Sequence, residues 1–286
     1  MGPIAEKFVT HEVTNQSNVL VYDAWTTDLP LREAIAREGG GWHEAELQKY
    51  GVRVGGELMA AGILANENKP KLRAFDRFGN RLDEVEFHPS YHQLMGAAIE
   101  AGVTHLGWSR ASTKGAHVAR MALSYLHNQA DQGTSCPLTM TYAAVPALEH
   151  GAELGKTWLP RVTSNVYDAR FVPADQKRGV TFGMGMTEKQ GGSDVRTNTT
   201  KAYRNGDAYE LVGHKFFFSA PMCDAFLVLA QAEGGITCFL LPRWSADGTR
   251  NAIRIQRLKD KLGDWSNASS EVEFQGAEAY RVGEEG

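Results

Sequence analysis

The sequence contains few cysteines and no long apolar run, and neither sign of charge dominates it. Its three cysteines, Cys136, Cys223 and Cys238, form no C-x-x-C pair, which excludes a disulfide framework and a zinc site and favours a reducing cytoplasm. The longest apolar runs, 58–61 and 225–229, are far shorter than the roughly 20 residues that cross a bilayer, so no membrane partner is expected. The 30 Lys and Arg against 34 Asp and Glu give a net charge of −4, which excludes a basic nucleic-acid-binding arm.

The N-terminus is expected to carry no targeting signal. Met1-Gly2-Pro3 is followed by Glu6 where a myristoylation motif requires Ser or Thr, and no apolar core of a secretion signal follows. A cytoplasmic protein is therefore predicted. At roughly 150 residues per domain, 286 residues correspond to about two domains, which can bury a core without disulfides or metal.

The first part of the chain, 1–165, has mostly helical patterning. Cap and breaker residues and apolar positions at helical spacing predict five helical segments: 31–38, 88–99, 103–131 as one long helix or a helix pair, 137–150, and 154–158. Pro146 is expected to interrupt the fourth segment and Pro160 to close the fifth.

After residue 166 the pattern changes to short β-branched and aromatic runs separated by Gly, Asn and Asp. Asn205-Gly206-Asp207 predicts a hairpin turn. The expected strands are 180–184, 209–212, 225–230, 236–241, 253–258 and 271–274. The sequence therefore predicts a helical domain over 1–165 and an antiparallel β domain over 166–286.

Two histidine patterns resemble metal sites but are incomplete. His43-Glu44 begins like a zinc-protease helix and lacks the second histidine four residues on. His88 and His92 have the right spacing, but Pro89 places them at a helix start and no third ligand accompanies them. We interpret both pairs as structural and predict no metal.

The stretch 183–194, Gly-Met-Gly-Met-Thr-Glu-Lys-Gln-Gly-Gly-Ser-Asp, combines hydroxyls with paired glycines after an apolar strand. This composition lets backbone N–H groups and hydroxyls approach an anionic or heteroaromatic ligand. A tight β-turn capped by Ser193 and Asp194 has the same composition. From the residues alone, both a phosphate cradle and a structural turn stay open.

The order of three motifs resembles the acyl-CoA dehydrogenase family. Met-Thr-Glu at 186–188, with Gly-Ser-Asp at 192–194, is similar to that family's flavin-binding motif. His-Lys-Phe-Phe-Phe-Ser at 214–219 matches its second flavin segment, and 261–274 resembles a later β-domain motif. Within the family, the sequence of 183–195 and 257–263 is most similar to that of the AidB group, which belongs to the adaptive response to DNA alkylation.

This resemblance implies FAD as the cofactor. It implies that Thr187 hydrogen-bonds the flavin ring, that Ser193 reaches the pyrophosphate, and that Phe217 and Ser219 lie beside the isoalloxazine and near its N5. The implied cofactor-binding set is Met184, Gly185, Met186, Thr187, Gly191, Gly192, Ser193, Phe217, Phe218 and Ser219. Because successive strand residues alternate faces, at least one phenylalanine of 216–218 is expected to fill the core.

The implied fold is α+β and multidomain: an N-terminal helical domain, a middle antiparallel β-barrel-like domain and a C-terminal helical bundle. We expect the bundle to be missing here, since the chain ends at Gly286 where it would begin. The family's catalytic base is a glutamate of that bundle, so no catalytic residue is predicted in this chain. Glu188 holds a structural position in the flavin motif and is not assigned that role.

Departures from the family pattern shape the functional hypothesis. Lys189 and Phe217 replace the usual Pro and Trp, and Trp265 stands where an arginine near the acyl site is usual. We therefore favour an FAD-dependent AidB-type homologue that acts in the response to DNA alkylation, with this chain inactive alone. The alternatives are a metabolic dehydrogenase of a short or branched acyl-CoA, and a non-catalytic flavin-containing DNA-protection protein.

The expected partners follow from that hypothesis. They are an acyl-CoA-like or alkylating small molecule, DNA through the missing C-terminal region, and other copies of the full-length protein in a homotetramer. Six cationic residues lie between 243 and 261: Arg243, Arg250, Arg254, Arg257, Lys259 and Lys261. They either contact nucleic-acid phosphate or form a solvated strand face, and we favour the strand face.

Overall fold

Eight α-helices and nine β-strands build residues 21–286, the part of the chain that this computed structural model describes. The targeting prediction for the N-terminus lies outside these described residues. The helices are α1 (Leu29–Arg37), α2 (Glu44–Arg53), α3 (Met59–Glu67), α4 (Pro89–Ala101), α5 (Leu106–Ser109), α6 (Ala116–Ala130), α7 (Ser135–Glu149) and α8 (Ala152–Val162). The strands are β1 (Lys71–Phe75), β2 (Arg81–Glu86), β3 (Phe182–Gly185), β4 (Lys201–Asn205), β5 (Ala208–Ser219), β6 (Ala225–Ala232), β7 (Gly235–Pro242), β8 (Ile253–Leu258) and β9 (Ser269–Val282). None of the described helices has the length and apolar character needed to cross a bilayer.

The helical half begins and ends its helices largely as its cap residues predict. Asp28 accepts a hydrogen bond from the Leu31 N–H at the start of α1, and His88 caps α4 through Nδ1, which accepts from the Ser90 N–H. Gly102 ends α4 with φ +109°, a conformation that favours glycine. Helices α2, α3, α4 and α6 bury one shared apolar core, whose members include Leu47, Leu58, Leu94, Met95, Leu123 and Leu126.

The prolines do not end helices where the sequence predicts. Helix α7 runs through Pro146 and α8 runs through Pro160, so the predicted interruption and closure are wrong. Pro146 has no N–H to donate to the Tyr142 carbonyl oxygen one turn earlier. The Trp108 indole N–H donates to that oxygen instead, at 2.9 Å, and compensates for the missing bond.

The segment 103–131 is a helix pair rather than one long helix. Its first member, α5, has only four residues, and Gly115 separates it from α6 with φ +77°. A Cβ at Gly115 would lie 2.3 Å from the carbonyl oxygen of Gly39, so close packing against the end of α1 requires glycine there.

A β-hairpin interrupts the helical half, and the sequence patterning does not predict it. Strands β1 and β2 pair antiparallel around a turn in which Asp76 accepts bonds from the N–H groups of Phe78 and Asn80. The hairpin lies against β8, where the Asp83 carboxylate accepts from the Ile255 N–H at 2.7 Å. Arg81 donates to the Ile255 carbonyl oxygen at 3.0 Å, so both polar backbone groups of that residue are satisfied.

The seven strands after residue 181 form one sheet that closes on itself. Strand β5 pairs with β4 and β9, and β4, β6, β7 and β9 complete the ring. The predicted hairpin turn is confirmed, because Asn205 pairs with Ala208 across Gly206 and Asp207. The sheet is mixed rather than purely antiparallel, since β6 runs parallel to both β3 and β4. Its interior is aromatic and aliphatic, with Phe218, Phe226, Phe239, Leu241 and Phe274 fully or almost fully buried.

Candidate functional site

Strand pairing brings the two glycine- and phenylalanine-containing motifs side by side. In the antiparallel β3–β5 pair, Met184 lies opposite Ser219 and Gly185 lies opposite Phe218. Two residues beyond the end of β3, the Thr187 carbonyl oxygen accepts from the Phe216 N–H at 2.8 Å. We call residues 184–193 and 217–219 the two-motif site. Segments some 30 positions apart in sequence thus share one edge of the barrel.

A buried ion pair anchors the loop of the two-motif site. The Glu188 carboxylate and the Lys215 ammonium lie 2.9 Å apart, and both side chains are fully buried. Glu188 also accepts from the N–H of Thr199 at 2.6 Å, from the Thr199 hydroxyl at 2.9 Å and from the N–H of Thr200 at 3.0 Å. These contacts occupy Glu188 and agree with a structural rather than catalytic position.

The pKa shifts of the pair follow from its surroundings. Burial acts to raise the pKa of Glu188, but hydrogen bonds from Thr200, Lys215 and the backbone outweigh it and hold the pKa below its usual value. Burial lowers the pKa of Lys215, and the adjacent Glu188 opposes that effect. Glu188 is therefore anionic at neutral pH.

The remainder of the loop turns sharply and faces solvent. The Gly191 N–H donates to the Glu188 carbonyl oxygen at 3.1 Å, and Gly191 has φ +137°, so the stretch contains the tight turn that its composition allows. Gly191, Gly192 and Ser193 are all exposed. A Cβ at Gly192 would lie 2.5 Å from the Thr187 hydroxyl oxygen, so glycine keeps the backbone close to that hydroxyl.

Two neighbouring phenylalanines of the second motif, Phe217 and Phe218, face different environments. Phe218 is fully buried in the barrel, with its ring centroid 4.2 Å from that of Phe226, so its side chain belongs to the core and not to an open site. This burial agrees with the expectation that at least one phenylalanine of 216–218 fills the core. Phe217 is 48% exposed, because the β5–β9 register shifts between Lys215 and Phe218 and turns it outward.

Met184 and Gly185 belong to the strand rather than to the exposed loop. Met184 is half-buried and packs against the apolar cluster between the barrel and α7 and α8. A Cβ at Gly185 would lie 2.7 Å from the Phe218 ring, so this glycine allows close strand packing. Met186, by contrast, is 41% exposed beside the loop.

Three residues near Ser219 were not among the predicted site residues. The hydroxyl oxygens of Ser219 and Ser269 lie 3.2 Å apart, and Asn267 and Cys136 lie beside them. Burial raises the pKa of the Cys136 thiol, which favours the protonated form. The available sequence signal is the Cys-Pro-Leu-Thr-Met-Thr segment at 136–141, which also resembles the acyl-CoA dehydrogenase family.

Trp265 stands beside a cation that comes from the helical half. Its indole N–H donates to the Lys261 carbonyl oxygen at 2.8 Å, and the Lys69 ammonium lies 3.7 Å from the ring centroid. A lysine over the face of an indole is a favourable cation–π contact. Positive charge is therefore present next to the position where the family pattern has arginine.

The six cations between 243 and 261 are largely neutralised. Arg250 and Arg254 pair with acidic residues of the β1–β2 hairpin, and Arg257 and Lys259 pair with Glu271. Arg243 is 3% exposed, and the Lys261 ammonium donates to backbone carbonyl oxygens. This arrangement leaves little unpaired positive charge for phosphate. Because Arg243 is buried, it does not belong to a solvated strand face.

A helical half packed on a closed mixed barrel, with paired glycine and aromatic motifs at one edge, is the architecture of the acyl-CoA dehydrogenases. Residues 15–169, more than half of the chain, match the family described as "Adaptive response protein AidB N-terminal domain". Residues 183–277 match "Acyl-CoA dehydrogenase, middle domain". The chain belongs to the acyl-CoA dehydrogenase family, with an N-terminal domain of the AidB type, so the predicted resemblance and fold class are confirmed.

Individual relatives agree with this assignment. The chain is 50% identical to the AidB protein of Escherichia coli (strain K12) over 97% of its length and 52% of that protein. The structure of Caenorhabditis elegans ACDH-11 in complex with C11-CoA superposes with a TM-score of 0.84 at 28% identity, over 98% of this chain and 50% of that one. An acyl-CoA dehydrogenase from Bacillus anthracis complexed with FAD shares the fold at a TM-score of 0.62 and 16% identity, over 85% and 37% of the two chains. The chain thus spans about half the length of the first two relatives.

Proposed function

We propose that this chain binds FAD at the two-motif site. The observation that carries the proposal is the meeting of the two motifs. The β3–β5 pairing sets Met184 opposite Ser219, and the Phe216 N–H donates to the Thr187 carbonyl oxygen at the start of the glycine loop. Hydroxyls and exposed backbone N–H groups suit the carbonyl and phosphate oxygens of a dinucleotide, and an outward-facing aromatic ring suits a planar isoalloxazine. The donor set and the open glycine turn therefore fit the group.

Different residues of the two-motif site would contact different parts of the cofactor. Ser193 and the N–H groups after Gly191 would hold the pyrophosphate, Thr187 would donate to the ring, and Phe217 and Ser219 would line the ring's face and N5 edge. FAD, when bound, supplies the capacity to accept two electrons and a proton from a substrate. The Glu188–Lys215 pair keeps the loop in place without touching the reacting atoms.

Substitution of the two hydroxyls tests the cofactor assignment. Thr187→Ala and Ser193→Ala are each expected to weaken FAD retention, measured as the flavin-to-protein absorbance ratio after dialysis, because each removes a donor. Thr197→Ala is a matched control, since that hydroxyl donates to the backbone of Asp194 at 2.7 Å. Flavin occupancy that is unchanged in the double variant contradicts the assignment.

We further propose that the whole protein acts in the response to DNA alkylation. The AidB-type N-terminal domain and the 50% identity to the Escherichia coli protein support this role. Within it, an acyl-CoA-like or alkylating small molecule is the expected ligand. DNA contact is assigned to sequence outside residues 21–286, given the neutralised cations of the barrel. A cytoplasmic location and a homotetramer belong to the same proposal.

A second candidate, oxidation of an acyl-CoA, is favoured by one observation. The superposed ACDH-11 structure is a complex with C11-CoA. Bleaching of the bound flavin by a panel of acyl-CoA thioesters, followed by absorbance with the full-length protein, supports that candidate. Absence of bleaching, together with salt-sensitive binding to duplex DNA, supports the alkylation response.

A further inference from the structure

A buried carboxylate joins the helical half to the barrel next to the two-motif site. Asp131 follows α6 and is 3% exposed. It accepts from the Thr134 N–H at 2.7 Å, from the Thr134 hydroxyl at 2.6 Å, and from the Asn66 side-chain amide at 2.8 Å. The Ser266 hydroxyl of the loop between β8 and β9 donates to it at 2.8 Å. Four donors from three parts of the chain thus replace water around one carboxylate.

Two further buried side chains orient the donors toward Asp131. The Thr134 hydroxyl donates its only hydrogen to Asp131, so it accepts from His127 Nε2, which lies 2.8 Å away. His127 Nδ1 then accepts from the Tyr50 hydroxyl at 2.8 Å. Burial lowers the pKa of His127 to about 4, in agreement with this neutral tautomer. The chain of bonds runs in one direction and holds the turn between α6 and α7 in a single arrangement.

The same turn fits closely against the barrel loop 264–267. A Cβ at Gly133 would lie 2.1 Å from the Ser266 hydroxyl oxygen and 3.1 Å from the Asn267 nitrogen. Directly after this loop, the Ala220 N–H donates to the Ala268 carbonyl oxygen at 2.8 Å. Ser269 follows, paired with Ser219 in the β5–β9 ladder. The position of Ser266 therefore constrains the backbone that carries the partner of Ser219.

We propose that Asp131 is a positioning residue for the two-motif site: through Ser266 it fixes the start of β9, and thereby the Ser269 hydroxyl that faces Ser219. The tie spans the helical half and the barrel, so it also couples the placement of Cys136 in α7 to that of Asn267. The expected effect on FAD binding rests on the proposed function. The hydrogen bond between Ser266 and Asp131 is present without a cofactor.

Asp131→Asn tests the proposal. The asparagine side chain has nearly the same size, but its NH₂ group is a donor and replaces one of the two oxygens that accept hydrogen bonds at this position. In the 286-residue chain, amide hydrogen exchange of peptides covering 262–270 is expected to rise roughly tenfold or more, and FAD affinity to fall by about tenfold. Asp83→Asn is the matched control. That aspartate is 5% exposed and bonds the barrel at Ile255, so its variant is expected to leave both quantities unchanged.

Ser266→Ala provides a milder variant if Asp131→Asn does not fold, since it removes a single donor and leaves the other three in place. The expected direction is the same, with a smaller rise in exchange over 262–270. Unchanged exchange in both variants overturns the tie, and raised exchange with unchanged FAD affinity overturns the positioning role. If the unsubstituted chain does not bind FAD, the proposed function is contradicted. That outcome is distinct from the failure of the positioning role of Asp131.

Discussion

The buried Glu188–Lys215 pair predicts a stability pattern that a simple count of contacts does not. Lys215→Met leaves a fully buried carboxylate without its cation, and Glu188→Gln leaves a fully buried ammonium without its anion. Removal of one partner of such a pair typically costs about 3–5 kcal/mol, because the remaining charge is desolvated and uncompensated. Each single variant is therefore expected to lose a large part of the stability of a typical domain.

The double variant is expected to be more stable than either single variant. Glu188→Gln with Lys215→Met buries no charge, and the Gln oxygen still accepts from the N–H of Thr199 or Thr200. Replacement of a buried ion pair by neutral groups is often close to neutral, so most of the loss in each single variant is expected to return. The coupling free energy should therefore approach the sum of the two single losses in size, about 6–10 kcal/mol.

Urea unfolding at pH 7, followed by tryptophan fluorescence, measures all four corners of this cycle. Lys156→Met is the control, because its partner Glu153 forms an exposed pair with side-chain exposures of 72% and 83%, and a loss below about 1 kcal/mol is expected. A double variant destabilised by the sum of the two single losses would refute the reasoning, since the two charges would then act independently.

Three further predictions concern the barrel and its loop. Phe218→Ala should cost about 3–5 kcal/mol in urea unfolding because its ring is fully buried, whereas Phe217→Ala should cost less than about 1 kcal/mol and alter the bound-flavin absorbance spectrum. Gly192→Ala should lower FAD retention in dialysis, because its Cβ would lie 2.5 Å from the Thr187 hydroxyl, with little change in unfolding free energy. Because folding lowers the pKa of Glu188, the ionised carboxylate stabilises the folded state above pH 4.5, and this stabilisation is lost as the pH falls toward about 2. Urea unfolding at stepped pH should show this loss in the unsubstituted chain and not in the double variant.

The helices and strands with clear local signals were predictable from sequence, and the exceptions have physical causes. Asp28 and Gly39 mark the ends of α1 because capping is a local interaction. Pro146 failed as a helix breaker because a distant residue, Trp108, donates to the carbonyl oxygen that it leaves free. The β1–β2 hairpin was missed because its strands are charged, and Asp83 and Val85 are buried by contact with the distant barrel.

The features of the candidate site that depend on one continuous motif were predictable from sequence. Those that depend on contacts between distant segments were not. The glycine turn and the structural use of Glu188 follow from the motif order. The inward orientation of Phe218 depends on a register shift in the β5–β9 pair, which no single strand sequence specifies. Ser269 faces Ser219 through the long-range β5–β9 pairing, and Cys136 of α7 reaches Ser219 and Asn267 only when the helical half docks on the barrel. Short-range patterning contains no signal for either contact.

The β1–β2 hairpin also matters for how the barrel can be handled on its own. Strand β8 pairs with β9 on one side and offers its other side to the hairpin, which satisfies the N–H and carbonyl of Ile255 through Asp83 and Arg81. The hairpin precedes β8 by some 170 residues and is synthesised first, so β8 meets its cover as soon as it forms. A fragment that begins after the helical half exposes an uncovered sheet edge, the kind of surface through which isolated β domains associate and aggregate.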